Sequence, residues 1–326
     1  MSAKVLIVNT KGGGHGHIGL HLARALLEKG LTVDMLQVGA ETSKGPVGKY
    51  PQLASEYPTF SVRYGDVTDE SVGTAYDAVY DNNAKSLEDI APVIKAGKAG
   101  AEVFYVSSAG AYAYDGNVMP HLEGDAAKGA TIDVENAIRD SGVSSINFRP
   151  IYIIGSASSK REYTDYFFDR IVRGRPILLP GTGSELTSLT DVRDVASMLA
   201  AAAGKGMKNE TLNVTNTRCI SFTGLVKLCE QACGKEAEVV CYDPERMKDK
   251  IDGFELKKAF PFRPRHFFAD PGEAQRKLDW QAVYSGTTEG LLNTLKLCYE
   301  EYLQLRLDKT PVVFDLDDKI LEQVVS

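Results

Sequence analysis

The apolar positions of this chain follow two rhythms. Short unbroken apolar runs alternate with segments in which apolar residues return every three or four positions. Lys4–Asn9 is the first run, as expected for a strand buried on both faces of a parallel sheet. A glycine-rich turn follows, and then Ile18, Leu22, Ala25 and Leu26 share one face of a helix. Leu31–Val38 and Phe60–Tyr64 read as the second and third strands. Asp77–Asp81 and Glu102–Ser107 read as the next two, with a helix over Leu87–Ala99 between them. A further helix runs to about Arg139 and leads into a strand at Ser144–Arg149. Such alternation predicts an α/β fold: a Rossmann-type doubly wound parallel sheet with right-handed crossovers.

Beyond Arg149-Pro150 the rhythm changes. Loops lengthen around Pro176, Pro180-Gly181 and Gly183, and amphipathic helices near Tyr163–Arg173, Val192–Ala203, Phe222–Ala232 and Gly286–Leu305 surround short strands. The expected division is 1–150, a nucleotide-binding-like domain, and 151–310, a smaller C-terminal α/β lobe on the substrate side. Some elements of that lobe are expected to return to the main domain. Residues 311–326 read as a short acidic extension made of a strand and a helix.

Composition narrows the class. At 326 residues the chain can bury a sizeable core, and 43% hydrophobic with 25% charged residues excludes wholesale disorder. No apolar run approaches the roughly 18 residues of a membrane helix, so no membrane association is expected. The run Val5–Val8 is too short for an export signal, and no Arg- and Ser-rich transit segment precedes it. Five cysteines without a Cys-x-x-Cys pair fit a reducing compartment, with Cys229 and Cys233 as small buried hydrophobes. The net charge of −7 argues against a surface that grips nucleic acid all round. The charge is segregated, though. Seven Lys/Arg stand between Arg246 and Arg265 against three acids, whereas 308–326 carries five acids and two lysines.

Gly13, Gly16 and Gly19 form Gly-x-x-Gly-x-x-Gly between the first strand and first helix. Such glycines allow a tight turn, close approach of a pyrophosphate, and packing of helix on strand. The end of the second strand, Gln37-Val38-Gly39, has no acid for an adenosine ribose and no Arg for a ribose phosphate. NAD(P) is therefore an open cofactor, with Asp66 as a further candidate contact.

Gly65-Asp66-Val67-Thr68-Asp69, Ser107-Ser108-Ala109-Gly110-Ala111-Tyr112, Phe148-Arg149-Pro150-Ile151-Tyr152 and Asp191-Val192-Arg193-Asp194-Val195-Ala196 resemble landmarks of extended short-chain dehydrogenases. The resemblance places Ser108 on the catalytic Ser/Thr position. It also calls for a Tyr-x-x-x-Lys after Ser108, and none is present. Four residues before Lys128 stands Gly124, and the frame that makes Glu135 the downstream acid puts Ala127 on the tyrosine. Hydride transfer in that fold needs a phenol as acid/base, so ordinary dehydrogenation is not expected.

Longer strings narrow the resemblance. Val5–Thr10, Asp81-Asn82-Asn83, His121–Asp125, Phe167–Arg173, Lys257–Arg263 and Phe314–Glu322 resemble the chloroplast stem-loop RNA-binding proteins, atypical members of the same superfamily. The resemblance implies structured RNA as partner, a divalent-metal-dependent endoribonuclease activity, and the chloroplast stroma as location of a mature form. For a metal such as Mg²⁺ the candidates are Asp66, Asp81 and Asp125, expected near the carboxyl ends of the strands. Asp81 also fits a turn cap. His121 is a candidate acid/base, beside Asp81 and Ser108 as candidate catalytic residues, and His15 or His17 could contact phosphate. Lys257, Lys258, Arg263 and Arg265, interleaved with Phe260, Phe262, Phe267 and Phe268, are the candidate RNA grip. Lys160-Arg161, Arg170, Arg173 and Arg175 would extend it. Three readings stand: the endoribonuclease; a non-catalytic RNA-stabilising protein joined to plastid ribosomes or RNA polymerase, as a homo-oligomer or with a paralogue; and an oxidoreductase or epimerase with an unusual proton donor.

Overall fold

The computed structural model describes residues 3–9, 16–39, 49–82, 84–113, 118–158, 161 and 163–325. Up to Pro150 the order is β1 (Lys4–Asn9), α1 (Gly16–Glu28), β2 (Thr32–Val38), α2 (Tyr50–Glu56), β3 (Phe60–Gly65), α3 (Asp69–Val72), β4 (Ala78–Asn82), α4 (Leu87–Lys98), β5 (Glu102–Val106), α5 (Ala130–Asp140) and β6 (Ser145–Pro150). Side chains along a strand alternate between its faces, and β1 shows both environments. Val5 and Ile7 join the core beneath α1, while Leu6 and Val8 join the core beneath α4 and α5. Helices on both faces explain why the strand is apolar throughout.

The second half begins with β7 (Ile153–Ile154), α6 (Asp165–Arg173), β8 (Ile177–Pro180), β9 (Leu186–Thr187), β10 (Thr190–Asp191), α7 (Val192–Ala202) and β11 (Glu210–Val214). It continues with β12 (Ile220–Ser221), α8 (Phe222–Cys233), β13 (Val239–Tyr242), α9 (Pro244–Lys250), α10 (Leu256–Ala259), α11 (Gly272–Leu278), α12 (Thr288–Gln304) and α13 (Asp315–Val325). Two of these elements return to the first half. α7 packs on α1, and β11 pairs with β6, aligning Leu212 with Phe148. The result is a seven-stranded parallel sheet ordered β11-β6-β5-β4-β1-β2-β3. The smaller lobe has its own core, in which Phe167, Phe168, Phe222, Leu225, Phe260, Phe262, Leu295 and Tyr302 meet.

The tail differs from the expected strand and helix. Residues 311–314 form no strand, and α13 docks as a helix because its acids find arginines. Arg170 makes two hydrogen bonds to Asp317, at 2.9 and 2.8 Å, with both side chains buried. Arg175 pairs with Asp318, and Ile320 is wholly buried beside Leu178, Tyr242, Met247 and Ile251. Arg170, Arg173 and Arg175 therefore do not extend an RNA-facing patch. Arg173 bonds to Asp169, Tyr302 and three backbone carbonyls, and Arg161 pairs with Asp165 and Asp169. All five cysteines are free, Cys229 buried and Cys233 partly so. No helix among the described residues is long and apolar enough to cross a membrane.

Candidate functional site

In a parallel sheet of this order, ligands bind outside the carboxyl ends of the strands, near the point where strand order reverses. That point lies between β1 and β4. Beside it, beyond β4, β5 and β6, a cleft of about 130 Å³ is lined by Lys85, Ser107, Ser108, Gly110, Pro150–Ile153, Tyr163, Arg263 and Phe267. The sheet supplies the floor, and the smaller lobe brings Tyr163, Arg263 and Phe267.

The serine pair sits where β5 breaks into a single 3-10 turn, Ala109–Ala111. Ser108 caps that turn by accepting the Gly110 N–H at 3.0 Å. A Cβ at residue 110 would meet Ser108 Oγ at 2.9 Å, so a larger residue there would displace the capping hydroxyl. Ser107 points the other way and donates to Glu135 Oε1 at 2.5 Å. Glu135 in turn receives two hydrogen bonds from Arg149, at 3.0 and 2.6 Å, in a buried pair. Arg149 also lies over the Tyr112 ring at 4.9 Å.

Arg263 turns inward, contrary to the expectation of an outward RNA contact. Its guanidinium donates to the Gly110 carbonyl at 2.8 Å and stacks 3.9 Å from the Phe267 ring centroid. Its backbone N–H donates to the Tyr152 hydroxyl at 2.8 Å. Tyr152 has a φ of 24°, a strained conformation for a side chain of that size. Lys85 enters from the far end of β4, where partial burial holds its ammonium below the usual lysine range and Asp81 opposes that shift.

The candidate residues scatter. Asp81 is buried and accepts the Ala84 N–H at 2.7 Å, so it caps the turn after β4. Burial pushes its carboxyl up to about 7. Asp66 follows β3 at the sheet edge, three strands from β4, or roughly 14 Å at the usual strand spacing. Asp125 accepts the Leu122 N–H at 3.1 Å and lies 3.2 Å from His121 Nδ1. These three carboxylates are not brought together. Among the described residues no group of three or more His, Cys, Asp or Glu side chains could hold a metal ion. The donor set therefore does not fit the expected divalent cation.

His121 does not line the cleft. It is buried, stacked on Tyr112 at 4.7 Å and edge-on to Phe267 at 5.6 Å. Lys257 and Lys258 are exposed, both paired with Glu255 on α10 and its cap. Arg265 is half-buried. Phe260, Phe262 and Phe267 are buried and pack against other rings, so they are not free to stack on bases. Sequence reasoning missed Lys85, Tyr152 and Tyr163 as cleft residues. The signal was slight: Lys85 lies four positions past Asp81, and Tyr152 two positions past the end of β6.

Gly13 and His15 lie outside the described residues. Gly16 opens α1, and Gly19 is the point where helix meets strand, since a Cβ there would touch the Asn9 side chain at 2.5 Å. Asn9 belongs to a buried polar network that the sequence did not reveal. It donates to Gln37 Oε1 and to the Tyr50 hydroxyl, each at 2.9 Å, and receives Asn82 Nδ2 at 2.6 Å. The side chain of Gln37 is thus turned inside, and Gly39, just past the end of β2, has no side chain to hold a ribose hydroxyl. Ala127 packs beside Tyr112, Ile151 and Phe267. The acid or arginine expected of a dinucleotide site at the end of the second strand is not among Gln37, Val38 and Gly39.

Comparison with known proteins agrees with this architecture. Residues 74–215 match the NAD dependent epimerase/dehydratase family. The UDP-glucose 4-epimerase of Thermotoga maritima superposes with a TM-score of 0.67 at 19% identity, over 93% of this chain and 99% of that one. The dTDP-glucose 4,6-dehydratase of Bacillus anthracis, solved with NAD, gives a TM-score of 0.70 at 13% identity, over 93% and 97%. These likenesses show a shared Rossmann-type α/β fold, in a chain where no Tyr-x-x-x-Lys follows Ser108. The chain is also 32% identical over 316 residues, 90% of its length, to the Arabidopsis thaliana chloroplast stem-loop binding protein of 41 kDa b, covering 79% of that protein. It belongs to the family of the chloroplast stem-loop binding proteins.

Proposed function

We propose that this chain binds stem-loop RNA in the chloroplast and is not a hydride-transfer enzyme. The observation that carries the reading is the end-to-end likeness to a relative named for stem-loop binding, in a chain with Ala127 where the phenol belongs. The surface that supports it is the outer side of α9 and α10. Met247 and Ala259 pin these helices inward, while Arg246, Lys248, Lys250, Lys257 and Lys258 stay exposed. Lys248 pairs with Glu245 and the other lysine pair with Glu255 at the surface, where such pairs contribute only about 0–1 kcal/mol. Phosphates can therefore replace these carboxylates. The division at residue 150 into a nucleotide-fold body and an RNA-facing lobe is part of the same reading. Cutting of the bound strand is its further step and draws no support from the donor set, so the reading rests on binding.

The test is anisotropy of a labelled stem-loop RNA with the full chain and with Lys257→Glu/Lys258→Glu. We expect at least tenfold weaker binding by the variant. Equal affinity of the two proteins would remove α10 from the interface, and no binding by either would overturn the reading. The same samples, run with Mg²⁺ or chelator on a denaturing gel, report any cleavage.

A further inference from the structure

The cleft beyond β4, β5 and β6 is separate from the lysines of α9 and α10, and its chemistry points to a particular guest. We propose that it binds a phosphate group, carried either by a small phosphate ester or by an RNA strand. Two cations, Lys85 and Arg263, line it, and no carboxylate does among the described residues. Glu135, which accepts from Ser107 beneath the cleft, is paired with Arg149. Arg263 has no carboxylate partner among the described residues, yet it is fixed at three points: the Gly110 carbonyl, the Phe267 ring and the Tyr152 hydroxyl. A guanidinium held in this way keeps N–H donors for a ligand at little ordering cost, in a geometry that matches phosphate oxygens. Ser108 contributes a hydroxyl whose oxygen already accepts from Gly110, leaving its hydrogen to donate outward.

Strain marks the same place. Tyr152, at φ 24°, forms the cleft wall and holds the backbone of Arg263. Such conformations persist where the surroundings over-determine them, and they cluster at ligand clamps. The cleft, about 130 Å³, has room for a phosphate group.

The test is titration of the full chain with inorganic phosphate, followed by calorimetry and by thermal unfolding, with ionic strength held constant by chloride. We expect saturable binding with a rise in Tm, at least tenfold weaker in Arg263→Gln and in Lys85→Gln. Lys85 is exposed at the cleft rim, so its variant should fold normally, which circular dichroism checks. No saturable response by the wild type, or unchanged affinity in both variants, overturns the proposal. Two further arms separate the sources. Displacement of labelled stem-loop RNA by phosphate assigns the site to the strand. AMP binding more tightly than phosphate, without displacing RNA, assigns it to a small ester. The proposal fails independently of the RNA reading: Lys257→Glu/Lys258→Glu should lose RNA and keep phosphate.

Discussion

Asp81 shows how one buried carboxylate changes meaning once its neighbours are known. It caps the Ala84 amide from a fully covered position, and burial lifts its carboxyl to about 7, far above the ~3.9 of a free aspartate. The folded chain therefore holds this proton more tightly than the unfolded chain. Its contribution to stability is present at acid pH and is lost as pH rises from about 4 to about 7. Asp81→Asn keeps a carbonyl for the Ala84 amide and removes the charge. We expect urea midpoints of the variant to gain on the wild type between pH 5 and pH 8. A difference that stays constant across that range would show that Asp81 is not protonated in the native state. Asp194 makes the same point without titration. It accepts from the backbone of Val283, Tyr284 and Ser285 and from the Ser285 hydroxyl, so its carboxylate ties down a loop.

At the scale of elements, α13 is the informative case. Its acids read as a solvated tail, yet Asp317 forms a buried pair with Arg170, whose guanidinium also lies 3.5 Å from the Tyr166 ring centroid. Removing one partner of such a pair leaves an uncompensated buried charge, at a cost of about 3–5 kcal/mol. Asp317→Ala should lose that much in chemical denaturation. The double variant Arg170→Met/Asp317→Leu should recover most of it, because an apolar pair of similar volume leaves no charge buried. A loss below about 1 kcal/mol in Asp317→Ala would mean that α13 is held by its apolar side alone. Since α13 shares a core with α9, its docking also sets where the exposed lysines of α9 stand.

For the whole molecule, the balance is between an acidic body, net −7, and a local basic segment. Association with RNA should depend steeply on salt, because each phosphate neutralised releases counterions, with a slope of about −0.7 to −0.9 per contact. Lys257→Gln/Lys258→Gln should flatten the logarithmic salt slope by about 1–2. An unchanged slope together with weaker binding would place the effect on conformation and not on phosphate contact. The fold constrains the rest: seven strands open at their carboxyl ends, a second lobe across them, and a cleft between the two lined by Lys85 and Arg263.

The sequence by itself determined the order of β and α elements in the first half, the doubly wound sheet, and the lack of a Tyr-x-x-x-Lys after Ser108. Those features depend on local periodicity and on short strings, which a single chain displays directly. Only the tertiary structure decided what the polar residues do. Arg263 meets Gly110 across 153 positions and Arg170 meets Asp317 across 147, so neither pairing leaves a local trace. Asn9, Gln37, Tyr50 and Asn82 close a buried network from four separate elements. Asp66, Asp81 and Asp125 looked alike as turn aspartates, and the sheet order put them apart. Apolar period is a property of neighbouring residues, whereas the fate of a charge depends on which distant segment covers it.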